Sequence, residues 1–331
     1  MSAKFKFGVC VDEIPLAEVS SEWEYFEIPT ALRVIPFDCE DNWNQIKKDY
    51  LKDTRPTLTS SHFLQYNGLV ACGPGYDREQ QLFWARRAFR RMNEVGVKVV
   101  GVYGGFFKYY EGWSKEDLME QAIGFCNILA DEAEQYGMEI ALEPMANPNT
   151  LWPSYKDGIE FVRKVNRRSI KLMADLNYFV ALNEPLTDIT LAPELCINVH
   201  IQGDGGAQPN VGKREAILTE LFTILRDIGY DKGVTAACPW VSTNGAEKAD
   251  YLYETGVTFE YVDKLRSKVY GEYNHKAQCG GGWRIISAAA FVKKQDWREE
   301  RIDYARKNQG GGCYGVSPRG YDQFPPDAVE V

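Results

Sequence analysis

The chain has 331 residues, 44% apolar and 26% charged, with a formal net charge of −9, a balance that suits a globular protein with one large core or two modest ones. No basic block offsets the acidity, which argues against a nucleic-acid partner, and the densest basic cluster, Arg86-Arg87 with Arg90-Arg91, reads as one solvated helix face. No run approaches the ~18 apolar residues of a membrane span, no leader pattern opens the chain, and eight scattered cysteines without a Cys-x-x-Cys pair read as reduced, buried thiols, so a cytoplasmic location is expected.

Apolar runs of strand length alternate with helical patterns. Phe7–Val11 and Tyr25–Ile28 are the first two strands, followed by a polar helix over Asn42–Leu51. Thr57–His62 is the third strand. The spacing of Leu82, Ala85, Phe89, Met92 and Val95 then predicts one buried stripe on a helix over Arg78–Val95, which Gly96 stops. Lys98–Tyr103 is the fourth strand. Ser114, with Asp117 three residues on, caps a helix that runs to Tyr136. Met138–Pro144 is the fifth strand, Ser154–Val165 a helix, and Ile170–Asp175 the sixth strand. A long polar connection leads to Cys196–His200. Lys213–Ile228 is helical, Gly233–Cys238 is the eighth strand, and a last helical pattern ends near Tyr270.

Eight strands with helices between them imply parallel pairing. Eight such units within residues 1–275 predict an α/β fold of the (β/α)8 TIM-barrel type, with an open doubly wound sheet as the alternative. No Gly-x-Gly-x-x-Gly follows an early strand, so a dinucleotide fold has little support. Residues 276–331 exceed what the barrel needs. Their aromatics, among them Trp283, Trp297 and Tyr314, and a helical piece near Trp297–Arg306 predict an extension that packs on the barrel or on a partner.

In a barrel the site lies at the C-terminal ends of the strands. Glu143, Asp175 and His200 end three consecutive strands, and a buried strand does not finish on a lone carboxylate for stability. Pairing with Arg or Lys would explain the carboxylates, but their strands contain no nearby basic partner. Two carboxylates and an imidazole suit a hard divalent ion, Mn²⁺ first, with Mg²⁺ or Co²⁺ as alternatives. Open positions on such an ion would polarise a sugar carbonyl. Glu27 and His62 end strands at the same rim. Glu27 is a candidate substrate contact, and His62 a candidate catalytic base beside Glu143, with a second supporting or sugar-binding role nearly as well motivated.

Glu143-Pro144, Met173-Ala174-Asp175-Leu176-Asn177, Asn198-Val199-His200-Ile201 and Gly229-Tyr230-Asp231 resemble the xylose-isomerase-like barrel superfamily. Within it they look most like sugar phosphate isomerases and epimerases, especially the ketose 3-epimerases. That resemblance covers roughly Phe7 to Tyr270. It implies a divalent metal held by Glu143, Asp175, His200 and a second Glu, and keto-sugar substrates. The second Glu is missing: Ala237 stands at its place. Tyr178 replaces a substrate-binding His, and no Arg follows the metal His in Gln202–Gly206. Water, Gln202, Cys238, Glu272 or His275 are left as fourth ligand or acid/base.

Tyr103, Asn177, Tyr178 and Gln202 complete the expected substrate contacts. The missing carboxylate suits a chemistry that starts with one base. The resemblance extends to the large subunit of C-glycoside deglycosidases, which implies a lyase that cleaves a 3-keto glycoside by proton abstraction and β-elimination. A keto-sugar isomerase or 3-epimerase with a substitute ligand is the alternative, and a non-catalytic sugar-binding barrel the third reading. Expected partners are a small sugar or glycoside and either a small second subunit or a further copy of the chain.

Overall fold

Eight parallel strands close into one barrel, each paired with its neighbour in chain order and β8 returning to β1. They are β1 (Lys6–Cys10), β2 (Tyr25–Pro29), β3 (Thr57–Ser61), β4 (Val99–Tyr103), β5 (Glu139–Glu143), β6 (Ile170–Asp175), β7 (Cys196–Ile201) and β8 (Gly233–Ala236). Among the described residues seven α-helices surround them: α1 (Glu40–Lys52), α2 (Arg78–Glu94), α3 (Lys115–Gln135), α4 (Tyr155–Val165), α5 (Leu176–Leu182), α6 (Glu215–Asp227) and α7 (Tyr251–Val269). The computed structural model describes residues 4–12, 14–64 and 68–271. The extension after residue 275, its expected helix, and the candidates Glu272 and His275 lie outside the described residues. Among the described residues no helix is long and apolar enough to cross a membrane, and the six described cysteines are free thiols.

The chain order of the elements matches the periodicity of the sequence, with two differences. Only a short 3-10 turn (Leu16–Glu18) lies between β1 and β2, and α7 covers that gap: Trp23 packs edge-on against Phe259 and donates from Nε1 to the Thr255 carbonyl at 3.0 Å. The polar connection after β6 contains α5, seven residues with Leu176 and Phe179 buried. Its N-cap is Asp175 itself, whose side chain accepts from the Asn177 N–H at 2.8 Å. Four other helices have side-chain caps. Asp77 caps α2, Ser114 caps α3, Ser154 and Asp157 form a full capping box on α4, and Asp250 caps α7.

Strand side chains alternate between two environments. Outward residues such as Val9, Ile28, Val100, Leu142, Leu172, Val199 and Val234 join the helices in the main core. The lumen holds a small apolar group of Ala141, Met173 and Ile197 with Val99 against it. A polar group lies within the barrel as well: the Tyr25 hydroxyl meets Thr235 Oγ1 at 2.7 Å, and Glu27 accepts from Thr59, Asn198 and Thr235. The Tyr25 ring fits only because β1 carries Gly8 opposite it; a Cβ there would sit 2.2 Å from the ring. Glycine also brings the end of β4 onto β5, since a Cβ on Gly104 would lie 2.3 Å from the Glu143 carbonyl oxygen.

The basic cluster on α2 is a solvated face only in part: Arg86 is exposed, but Arg91 is not. Arg91 is fully buried and donates to the carbonyls of Val34, Ile35, Asp38 and Cys39 and to Glu40. Those carbonyls belong to a π-helical turn (Thr30–Val34) and the segment after it, where Ile35 takes φ 41°, a left-handed conformation costly for a β-branched residue. Arg87 and Arg90 also pair with Glu40. Periodicity put the four arginines on one helix, and only the packing of the loop after β2 shows that one of them is its buried anchor.

Candidate metal centre

Three strands meet where the chemistry was expected. In the register of β6 and β7, Asp175 lies beside His200, and in that of β4 and β5, Tyr103 lies beside Glu143. One ligand atom each from Glu143, Asp175 and His200 lies within 4.8 Å of the other two. His200 Nδ1 faces Asp175 Oδ2 at 3.6 Å and Glu143 Oε1 at 3.8 Å. All three side chains are buried. The other imidazole nitrogen, Nε2, is turned to Glu27, 3.0 Å from Oε1. One ring nitrogen thus points at two carboxylates and the other is held by a third, the arrangement that orients an imidazole for a metal.

Asp175 is fixed from both sides. Its Oδ1 caps α5, while its Oδ2 accepts from Gln202 Nε2 at 2.8 Å. The same Gln202 nitrogen donates to the Ala237 carbonyl at 3.2 Å, and its Oε1 is buried without a hydrogen-bond partner. The Gln202 amide therefore lies between Asp175 and the end of β8.

The electrostatics show what the site lacks. Burial opposes ionisation of Glu27, but the charge of His200 and the donors around it win and lower its carboxyl to about 2. Burial also opposes a charge on His200, yet Glu27, with Asp175 and Glu143, raises its pKa well above the ordinary value. For Glu143, burial and then the Asp175 charge push the carboxyl up to about 8 against the pull of His200. Three acids face one imidazole, and among the described residues no neighbouring Arg or Lys offsets them. Arg214, the half-buried cation near Asp175, is turned to Asp204 at 3.4 Å and to Asn177 Oδ1 at 2.6 Å. A divalent ion fits this donor set and its surplus of negative charge.

The remaining candidates separate into two groups. Tyr178 and Tyr103 lie on the Glu143 side. Burial, then the Glu143 charge and Tyr103, keep the Tyr178 hydroxyl protonated, and the Tyr103 hydroxyl meets Met145 Sδ at 2.9 Å. Asn177 is engaged by Arg214. Glu27, expected at the substrate, lies instead beneath His200, fully buried. His62, expected as the base, groups not with the triad but with Cys10 and Asp12.

Sequence reasoning missed Thr59, Asn198 and Thr235, which hold Glu27, and Arg214. Asn198 carried a signal: two residues before His200 on one strand, it faces the same way. Arg214 carried none, since its loop folds back on the barrel only in three dimensions.

Residues 21–257 match the protein family described as Xylose isomerase-like TIM barrel. The chain is 31% identical over 78 residues to an inosose isomerase of Bacillus licheniformis, a match spanning 24% of this chain and 28% of that protein. Among solved structures, a 3-keto-D-glucoside 4-epimerase from E. coli superposes with a TM-score of 0.63 at 17% identity, covering 79% of this chain and 100% of that one. D-psicose 3-epimerase in the presence of D-fructose gives 0.65 at 16%, with 79% and 99% covered. The IOLI protein with a bound zinc atom gives 0.58 at 17%, with 82% and 100% covered. At these identities the structural likeness is one of fold.

Proposed function

Because this chain belongs to the Xylose isomerase-like TIM-barrel family, we propose that it is a divalent-metal-dependent isomerase acting on a keto-sugar or keto-polyol. The observation that carries this reading is the convergence of Glu143, Asp175 and His200 on one point at the C-terminal rim, buried and, among the described residues, without an Arg or Lys partner. Glu143, Asp175 and His200, the last through Nδ1, would hold the ion. When bound, such an ion supplies a Lewis acid for the carbonyl and neighbouring hydroxyl oxygens of the substrate.

The protein groups divide the remaining work. Glu143 takes the proton from the hydroxyl-bearing carbon beside the carbonyl and delivers a proton to the former carbonyl carbon on the same face, while the hydroxyl proton of the first carbon passes to the former carbonyl oxygen. Its carboxylate, buried at the end of β5 beside Asp175 and His200, is the protein base nearest the proposed ion. Tyr178 keeps its hydroxyl proton and donates a hydrogen bond to a substrate oxygen. Glu27 fixes the tautomer and plane of His200, and Gln202 the orientation of Asp175.

The end of β8 decides between epimerisation and isomerisation. Inversion at one carbon by two bases needs carboxylates on both faces of the substrate, and Ala237 offers none on the β8 side. Transfer between adjacent carbons on one face needs only Glu143, which also agrees with the inosose isomerase among the relatives. Ala237 equally favours a second reading, the lyase acting on a 3-keto glycoside. There Glu143 starts the elimination and Tyr178 protonates the leaving group.

The test is to incubate Mn²⁺-loaded protein in D₂O with inosose, free ketoses and a 3-keto glycoside bearing an aromatic aglycone, followed by NMR. Deuterium in an isomerised product, lost in Glu143→Gln, is the expected result. Released aglycone would favour the second reading. Absence of exchange from every keto substrate would overturn both.

A further inference from the structure

We propose that Cys10, Asp12 and His62 form a second cation site, built for a borderline-soft divalent ion of the Zn²⁺ class. One ligand atom from each lies within 4.8 Å of those of the other two. Cys10 is the last residue of β1, Asp12 follows two residues later, and His62 is the first residue after β3. All three therefore sit at the functional end of the barrel. Cys10 is 1% exposed, whereas Asp12 and His62 are half-buried, so the thiol is enclosed and the other two donors reach toward solvent.

The backbone around this cluster is held in place. His62 takes φ 52°, a left-handed conformation that costs energy for any residue but glycine and persists where the surroundings enforce it. Its carbonyl accepts from the Ala31 N–H at 3.1 Å, which ties it to the π-helical turn after β2. Ser61 Oγ stands between the side chains, 3.4 Å from Cys10 Sγ and 3.0 Å from His62 Nδ1. One hydroxyl, 51 positions from the thiol, thus aligns it with the neighbouring imidazole.

The donor set differs from that of the first centre. Two carboxylates and an imidazole suit a hard ion, while thiolate, imidazole and carboxylate together suit Zn²⁺ or Co²⁺ in a tetrahedral site. Three protein ligands leave one position for water or a substrate oxygen. In the ring, β1 and β3 lie on the arc opposite β5 to β7, so the two centres face each other across the barrel mouth.

Co²⁺ is the probe, because thiolate coordination gives it a near-ultraviolet charge-transfer band that oxygen and nitrogen ligands do not. Full-length protein is titrated with Co²⁺ and the band is then competed with Zn²⁺. The expected result is a band that disappears in Cys10→Ser and persists in Cys238→Ser and in His200→Ala. Asp12→Asn and His62→Gln should each weaken the band-forming Co²⁺ by about tenfold or more. These two variants also carry the test if Cys10→Ser fails to fold by circular dichroism. No thiolate band in the wild type, a band that survives Cys10→Ser, or an affinity untouched by both Asp12→Asn and His62→Gln would overturn the proposal.

Discussion

His200 is the residue on which the first centre turns, because its two nitrogens face different tasks. Nδ1 meets Asp175 and Glu143, and Nε2 meets Glu27. Glu27 is fully buried and turned to the ring, so it acts by holding the imidazole. Glu27→Gln should therefore lower divalent-metal affinity by about 10–100-fold, read by isothermal titration with Mn²⁺; an affinity within twofold of wild type would remove Glu27 from the centre. At the end of β8, Ala237→Glu places a carboxylate beside Gln202 and Asp175. It should tighten Mn²⁺ binding and open epimerisation in the D₂O assay, and unchanged binding would show that the β8 end does not face the ion. The sequence placed Glu143, Asp175 and His200 at or beside strand ends, and the structure brings their ligand atoms within reach of one another. Glu27 was legible as a rim candidate, but not its role. That role depends on donors from Thr59, Asn198, His200 and Thr235, up to 208 positions away, and period-2 patterning gives a side chain's direction, not its height in the barrel.

Among the elements, the loop after β2 shows how a helix supports the rim. Arg91 of α2 holds the carbonyls around the left-handed Ile35, and the π-helical turn it secures also bonds the carbonyl of His62. Arg91→Ala leaves several carbonyls and Glu40 without this donor. The expected loss is about 2–5 kcal/mol by urea unfolding, from the carbonyls left without a donor and the space a buried side chain vacates, and a loss below about 1 kcal/mol would mean that water replaces the guanidinium at no cost. Glu40 gives the matching pH dependence. Burial opposes its charge, but Arg90, Arg91 and Arg87 lower its carboxyl from 4.5 to about 2. A folded-state value below the unfolded one means that this contribution is present above pH ~4.5 and is lost as pH falls toward ~2. Glu40→Gln should therefore flatten the decline in stability across that window relative to wild type, and parallel curves would sink the assignment. Because Glu40 is 46% exposed, the effect is modest. The α5 helix was hidden from the sequence for a different reason: at seven residues it offers barely two turns of periodicity, and its cap is the strand residue Asp175.

For the whole molecule, closure of β8 on β1 and the packing of α7 complete the barrel within the described residues. Arg266 of α7 donates to the Phe5 carbonyl at 2.9 Å and pairs with Glu24 at 2.7 Å, joining the two ends of the barrel sequence. A chain ending at Gly271 should unfold in one cooperative urea transition and keep the Mn²⁺ affinity of the full chain. Loss of the metal on truncation would bring Glu272 or His275 into the ligand set. Alternation of strand and helix periods determined the barrel from sequence alone, because eight parallel strands with crossovers between them have few ways to bury both faces. The sequence by itself also put Glu143, Asp175 and His200 at or beside strand ends, because position along a strand is set by the chain. Only the tertiary structure decided which strands stand side by side at equal height. That is why Glu27 lies under His200, and why His62 stands with Cys10 and Asp12 rather than beside Glu143. The stagger of neighbouring strands and the folding-back of loops set these meetings, and neither leaves a periodic trace in the sequence.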